Sequence, residues 1–215
     1  MGYMSRARFT SGEMMHPGNG VPWFFDAGSD SLEFAYTGDL ARGVAEGERL
    51  STPAGLGRWL SERIDRVDAG EVSDRDLSDA LNLRSALTGL YLAAAQGTPL
   101  PADDIDTVNL YAATPDIPPA LGGGQRQAGA GRIRVGQVLS TLARDAVEIF
   151  SHPQERRVRT CDDATCRMIF HDESRTNNRR WCSMEHCGNR AKVRAHRERA
   201  AMRRHQERDN EALPS

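Results

Sequence analysis

"CDDATCRMIFHDESRTNNRRWCSMEHC", Cys161–Cys187, holds all four cysteines of the 215-residue chain. They form two Cys-x4-Cys pairs, separated by the fifteen residues 167–181. Two close pairs joined by a short arm is how a chain surrounds one tetrahedral Zn²⁺ with four thiolates. No cysteine precedes Cys161, and no apolar run follows Arg6 and Arg8 at the N-terminus. A secreted disulfide framework is therefore not the expectation. Paired disulfides and a redox-sensing finger that releases zinc are the lesser alternatives. Cys161, Cys166, Cys182 and Cys187 are the candidate ligands of one structural zinc. His171 and His186 lie near enough in sequence to compete, but four thiolates already fill the shell, so both are expected beside the site or on the surface. A metal also explains how so small a module folds, because structural zinc contributes about 10–16 kcal/mol in finger peptides.

The spacing constrains the local fold. The arm "RMIFHDESRTNNRRW" (Arg167–Trp181) is long enough for a β-hairpin. Its apolar first arm is Met168–Phe170, its tip is turn-like over Asp172–Asn178, and Trp181 on the second arm could cover the metal. Ser183 is a good N-cap for the helix-forming run that follows. Two helical positions five apart point about 140° away from each other. Cys182 must then lie outside the regular helix and Cys187 within its opening turns. Knuckle, hairpin and a helix carrying the last ligand describe a treble-clef-type finger.

Charge is distributed unevenly. Residues 151–215 carry 15 Lys+Arg against 10 Asp+Glu, whereas residues 1–150 carry 13 against 20. An acidic body with a basic appendage points to a polyanionic partner for the appendage. Four thiolates and Zn²⁺ leave a formal charge of −2, which accounts for some arginine. The surplus on the helix after Cys187 has little apolar residue to pack with. The plain reading is a solvated face paired with Glu198 and Glu207; the sharper one is a helix lying on the phosphates of double-stranded DNA. Candidate phosphate contacts are Arg179, Arg180, Lys192 and Arg197. Arg190 and Arg194, four apart on one face, are the candidate base contacts, with Asn189 nearby. Trp181 is the sole aromatic in the patch, which disfavours a stacking platform for single strands.

The first 150 residues read as a helical body. Residues 1–20 have little pattern and are expected to be a poorly ordered lead-in. Val21–Gly28 suits a strand, and Ser31–Ala41 a helix capped by Ser31. Thr52-Pro53 starts a second helix, and Ser73 a third that Gly97 and Pro99 end. Further helices are expected over Asp103–Ala113 and Val135–Phe150. The Gly-rich stretch Asp116–Val135 is read as a loop, with hairpin arms near Ile117 and Ile133. It lacks the Gly-Lys-Ser/Thr ending of a phosphate loop. The apolar stripes can close one core of about 130 residues without the cysteine module. A boundary is placed near Pro153, giving a body over 21–153 and a finger over 154–210. No apolar run approaches a membrane span. The expected location is the cytoplasm.

"WCSMEHCGNRAK" (Trp181–Lys192), preceded by "RTCDDATCRMIFHDESRTNNRR", resembles the CGNR zinc finger, whose name is the run Cys187-Gly188-Asn189-Arg190. The body is similar to the ABATE domain of stress-linked transcription regulators. That likeness rests on "LEFAYT" (Leu32–Thr37), "ALNLRSAL" (Ala80–Leu87), "VNLYAAT" (Val108–Thr114) and "VLSTLARDAVEIF" (Val138–Phe150). Family members typically show Asn where this chain has Tyr36. The resemblance implies an α+β, predominantly helical N-terminal sensor domain and a finger that binds DNA. In the body, Arg84 and Asn109 stand beside apolar stripes as candidate contacts for a small effector; a surface ion pair and a local hydrogen bond are their plainer roles. A homodimer is compatible with this organisation.

Three functions from different classes fit the sequence. The leading one is a transcription regulator that reads DNA through its finger and senses or dimerises through its body. A zinc-finger protein-interaction module without DNA binding is the alternative. A metal-dependent nuclease using His171, Asn177, Asn178 and His196 is the least supported, because their spacing matches no recognisable catalytic motif. The chain is not expected to be an enzyme.

Overall fold

Thr52 and Ser73 cap their helices as the sequence requires: each hydroxyl accepts a backbone N–H three residues on, from Gly55 at 3.1 Å and Asp76 at 3.2 Å. The computed structural model describes residues 12–16, 20–38, 40, 48–64, 67, 69–118, 132–152, 155 and 157–211. The body contains α1 (Asp30–Ala35), α2 (Pro53–Arg63), α3 (Asp74–Gln96), α4 (Ala102–Ala112) and α5 (Val135–Phe150). Gly97 ends α3 in the left-handed conformation at φ 69°, where a side chain would be strained. These bounds follow the sequence reading closely except at α1, which takes Ser29 rather than Ser31 as its cap and ends at Ala35, where the expected helix continued to Ala41. Ser31 is instead buried, its hydroxyl donating to Asp145 of α5 at 2.6 Å and paired with the Tyr91 hydroxyl at 2.7 Å.

Two expectations for the body change. Glu13–Met15, inside the expected lead-in, forms β1 and pairs antiparallel with β2 (Trp23–Phe25). Met15 and Phe25 are both 1% exposed, so burial of their side chains fixes the ribbon. The hairpin arms near Ile117 and Ile133 do not pair; Ile133 bridges Val67 in parallel instead. The tip of that loop, 119–131, lies outside the described residues, as does the expected boundary at Pro153.

The finger comprises β3 (Val158–Thr160), β4 (Ile169–His171), a π-helical turn over Met184–Gly188, and α6 (Asn189–Glu211). The hairpin is not the expected one. β4 pairs antiparallel with β3, which precedes the first cysteine, and not with the segment ending at Trp181. The Cys-x4-Cys knuckle is itself the turn, closed by Cys161 N–H donating to Met168 O at 2.8 Å.

β4 exposes its other edge to the body, and the body covers it. His171 N–H donates to Ala27 O at 2.8 Å. The Tyr36 hydroxyl accepts from Ile169 N–H at 2.7 Å and donates to Ile169 O at 2.9 Å, acting as a one-residue substitute for a strand. Gly28, at φ 78°, passes so close that a Cβ there would lie 2.2 Å from His171 O. Trp23 stacks on His186 with centroids 4.7 Å apart and planes 10° from parallel. Met168, Ile169 and Phe170 belong to the same apolar cluster as Leu32, Phe34 and Leu83. Body and finger thus share one core.

Candidate metal centre and nucleic-acid interface

Four chain segments bring the cysteines together. Cys161 directly follows β3, and Cys166 closes the knuckle, its N–H donating to Asp163 O at 2.8 Å. Cys182 stands just before the Ser183 cap, and Cys187 sits in the π-helical turn. Because Ser183 is extended and Cys182 precedes it, Cys182 stands outside the helix, and the divergence of about 140° that a regular helix would impose does not arise. All four Sγ atoms lie within 4.8 Å of one another. Two of the separations are 3.7 Å (Cys166–Cys182) and 3.6 Å (Cys182–Cys187). A tetrahedron with Zn–S bonds of about 2.3 Å has edges of about 3.8 Å, so the quartet fits one zinc ion.

The electrostatics favour a cation at the centre. Without one, Cys182 shares its proton with Cys166; that bond and burial hold Cys182 far above the ordinary thiol range. The same bond brings Cys166 down to about 6. Burial, then the charge of Cys166, pushes Cys187 up to about 12. One thiolate is tolerated and further ones are resisted until a dication replaces the protons. No histidine joins the cluster. His171 Nδ1 pairs with Gly28 O at 3.0 Å, and burial against Trp23 lowers the pKa of His186.

Two buried carboxylates brace the finger. Asp163 is 2% exposed and accepts from the Thr165 hydroxyl and N–H at 2.7 and 3.0 Å. The Thr165 hydroxyl chiefly holds it below the usual carboxylate range, with help from Arg190 and Arg194. Burial alone would raise Asp172, but Ser174 and the Arg179 N–H outweigh it and its pKa falls.

The candidate DNA contacts separate into groups. The Arg179 guanidinium donates to Trp181 O, Asp26 O and Cys182 O and lies 4.4 Å over the Phe170 ring. It clamps the finger to the body. Arg180 pairs with Asp162 at 2.7 Å and covers Trp181, yet its side chain stays 62% exposed. Arg190 and Arg194 converge on Asp163 at 3.4 and 3.3 Å. Lys192 and Arg197 are exposed on α6 and make no ion pair with another described residue. Asn189 donates to Glu185 O at 3.1 Å.

In the body, Arg84 forms a two-pronged ion pair with Glu48, its side chain only 12% exposed, and also donates to Thr37 O. Asn109 lines a cleft of about 170 Å³ with Leu90, Ile105, Val108, Val147 and Phe150. The structure does not bring Arg84 and Asn109 into one site. Of the nuclease candidates, Asn177 accepts from Arg159 and donates to Glu155 O. His196 stands exposed on α6. Sequence reasoning missed Trp23, Ala27 and Tyr36 as finger-contacting residues. Only the apolar first arm, Met168–Phe170, signalled that the finger needs a partner surface. No helix among the described residues is long and apolar enough to cross a membrane.

Comparison with known families places both halves. Residues 157–200 match the CGNR zinc finger, and residues 28–153 match the ABATE family, described as "Putative stress-induced transcription regulator". No curated protein matches the chain.

Proposed function

Given that this chain belongs to the ABATE family, described as "Putative stress-induced transcription regulator", and carries a CGNR zinc finger, we propose that it binds double-stranded DNA through the finger and adjusts that binding through its body. The observation that carries the reading is α6. It leaves the finger as a long helix whose residues 196–199 and 201–206 are exposed, with cations that no described carboxylate neutralises at Lys192 and Arg197. A surface of that charge attracts a polyanion and releases its counterions. The zinc is structural in this reading. It supplies cross-linking alone, and the four thiolates, Asp163 and Asp172 orient the surface. The finger is of treble-clef type, and the protein has no catalytic step.

Small-molecule sensing belongs to the α3–α4–α5 cleft rather than to Arg84, whose guanidinium Glu48 already occupies. Phe150 in that cleft packs on Tyr91 at 5.0 Å, and Tyr91 bonds the Ser29 hydroxyl at 2.9 Å, next to the Gly28 that touches β4. A ligand there would press on the segment that holds the finger. The protein-partner alternative draws on the exposed Met184, Val193 and Met202. Titration of zinc-loaded protein with duplex DNA at several salt concentrations separates the two. The regulator reading requires affinity that falls steeply with salt, and weaker binding by Lys192→Ala and Arg197→Ala. Absence of binding at low salt, with zinc retained, promotes the protein-partner reading.

A further inference from the structure

α6 carries its charge in a pattern that specifies how it would sit on DNA. At about 100° per residue, Asn189, Val193, His196 and Ala200 fall on one face, spaced four, three and four apart. Arg197 and Arg204 flank that face on one side, and Lys192, Arg199 and Arg203 on the other, each about 50–90° around the helix. Glu198 is the one acid between residues 189 and 206, and it points about 170° away from the face. Val193 is half exposed, and Asn189, His196 and all five flanking cations are exposed. Arg194 lies about 130° from the face. It reaches back to Asp163, as Arg190 does.

An amphipathic helix made to pack on protein would gather its apolar groups into a stripe. Here a small, uncharged stripe lies between two cationic rows. From this arrangement we infer that α6 enters the major groove of duplex DNA lengthwise. The Asn189–Val193–His196–Ala200 face would lie toward the base edges, with one cationic row on each strand's phosphates. The groove is about 12 Å wide and admits a helix of about 10–12 Å with its side chains. Asn189 gives one Nδ2 hydrogen to Glu185 O at 3.1 Å, which leaves its second N–H and its Oδ1 for adenine, and the Val193 methyls can meet a thymine methyl. His196 offers a donor or an acceptor. Arg190 and Arg194 then hold the helix to the metal knuckle and do not read bases, a different division of labour from the one their sequence spacing suggests. The inference rests on the DNA-binding reading above.

The test uses the zinc-loaded full chain. Its probes are a random-sequence duplex, the same duplex with bulky glucosyl groups filling the major groove, and a duplex RNA. Wild-type protein should bind the modified duplex at least about tenfold more weakly. It should discriminate similarly against the RNA, whose deep, narrow major groove side chains cannot read. The double variants Arg197→Ala/Arg204→Ala and Lys192→Ala/Arg199→Ala should each flatten the salt slope by about 1.8, at about 0.9 per lost phosphate contact. His196→Ala should change the sequences recovered by selection from a random pool and leave the slope in place. If DNA is bound but only one row alters the slope, or if the groove-filled duplex or the RNA binds equally well, the groove placement is wrong while nucleic-acid binding stands. If wild-type protein binds no duplex, the DNA-binding reading itself fails and this inference with it.

Discussion

Replacing Tyr36 with phenylalanine tests whether body and finger are one structural unit. The substitution removes a single oxygen. The ring can keep its edge contact with Phe25 at 5.1 Å, so no large cavity opens and the effect reports on the hydroxyl. That oxygen accepts from Ile169 N–H at 2.7 Å and donates to Ile169 O at 2.9 Å. Tyr36 and Ile169 are 1% and 4% exposed, so water cannot readily take over either bond. A buried backbone group left without a partner costs about 1–3 kcal/mol. With two such groups, Tyr36→Phe should destabilise the protein by about 2–6 kcal/mol. At about 2–4 °C per kcal/mol for a chain of this size, Tm should fall by roughly 4–24 °C. Zinc release to a chromogenic chelator should also accelerate, because Ile169 lies one residue from Met168, whose carbonyl closes the cysteine knuckle. Differential scanning calorimetry and stopped-flow chelation measure the two effects. A Tm within about 2 °C of wild type, with unchanged release of zinc, would refute the claim that the body completes the edge of β4.

Other outcomes follow from the same geometry. Purified protein should carry one zinc per chain by elemental analysis, and removing it should lower the melting temperature of the body as well as disorder the finger. A fragment ending at His152 should keep its helices by circular dichroism but melt below the intact chain; equal melting would mean the junction contributes nothing. Glu33 is 4% exposed, and burial raises its pKa from 4.5 to about 8. Its folded pKa lies above the unfolded one, so its contribution is complete below about pH 4.5 and declines as pH rises to about 8, by up to about 5 kcal/mol. Glu33→Gln can still accept from Gly12 N–H and should flatten that decline. Denaturant titrations from pH 5 to 9 that run parallel for both proteins would contradict it.

The helices of the body were readable because their signals are local. Thr52-Pro53, Ser73 and Gly97 punctuate the chain through bonds and dihedral angles within three or four residues, and the amphipathic stripe of α5 does not depend on its partner. The metal quartet was readable for a related reason: four thiols in 27 consecutive residues, Cys161–Cys187, have few other uses. The hairpin was misplaced because Val158–Thr160 carries no alternation that marks it as a strand. Its pairing is imposed by the knuckle, once Cys161 and Met168 close the turn. β1 escaped notice because three residues give no measurable period, and because its stability comes from Phe25 and Met15 meeting a core assembled from distant parts of the chain.

The junction was the least legible part, and its physical cause bears on regulation. A two-stranded ribbon is at best marginally stable alone, and an open strand edge invites pairing with other chains. Zinc fixes the ends of β3 and β4 but does nothing for the outer edge of β4. In this chain Ala27 O and the Tyr36 hydroxyl satisfy that edge, Gly28 allows the approach, and Arg179 ties it down through Asp26 O. None of these residues stands out in the sequence, since a buried Tyr or a Gly reads as ordinary core or turn. Yet Ala27 and Gly28 lead directly into the Ser29 cap of α1, and Ser29 bonds the Tyr91 that supports the Phe150 side of the cleft. A change in the packing of that cleft would reach the metal module through Tyr91, Ser29 and Gly28. Tyr91→Phe removes the bonds to Ser29 and Ser31 while leaving the zinc ligands and α6 untouched. If the body adjusts the finger by this route, Tyr91→Phe should change both duplex affinity and the rate of zinc release. Change in neither, with the fold retained, would mean that the shared core only stabilises the finger and does not regulate it.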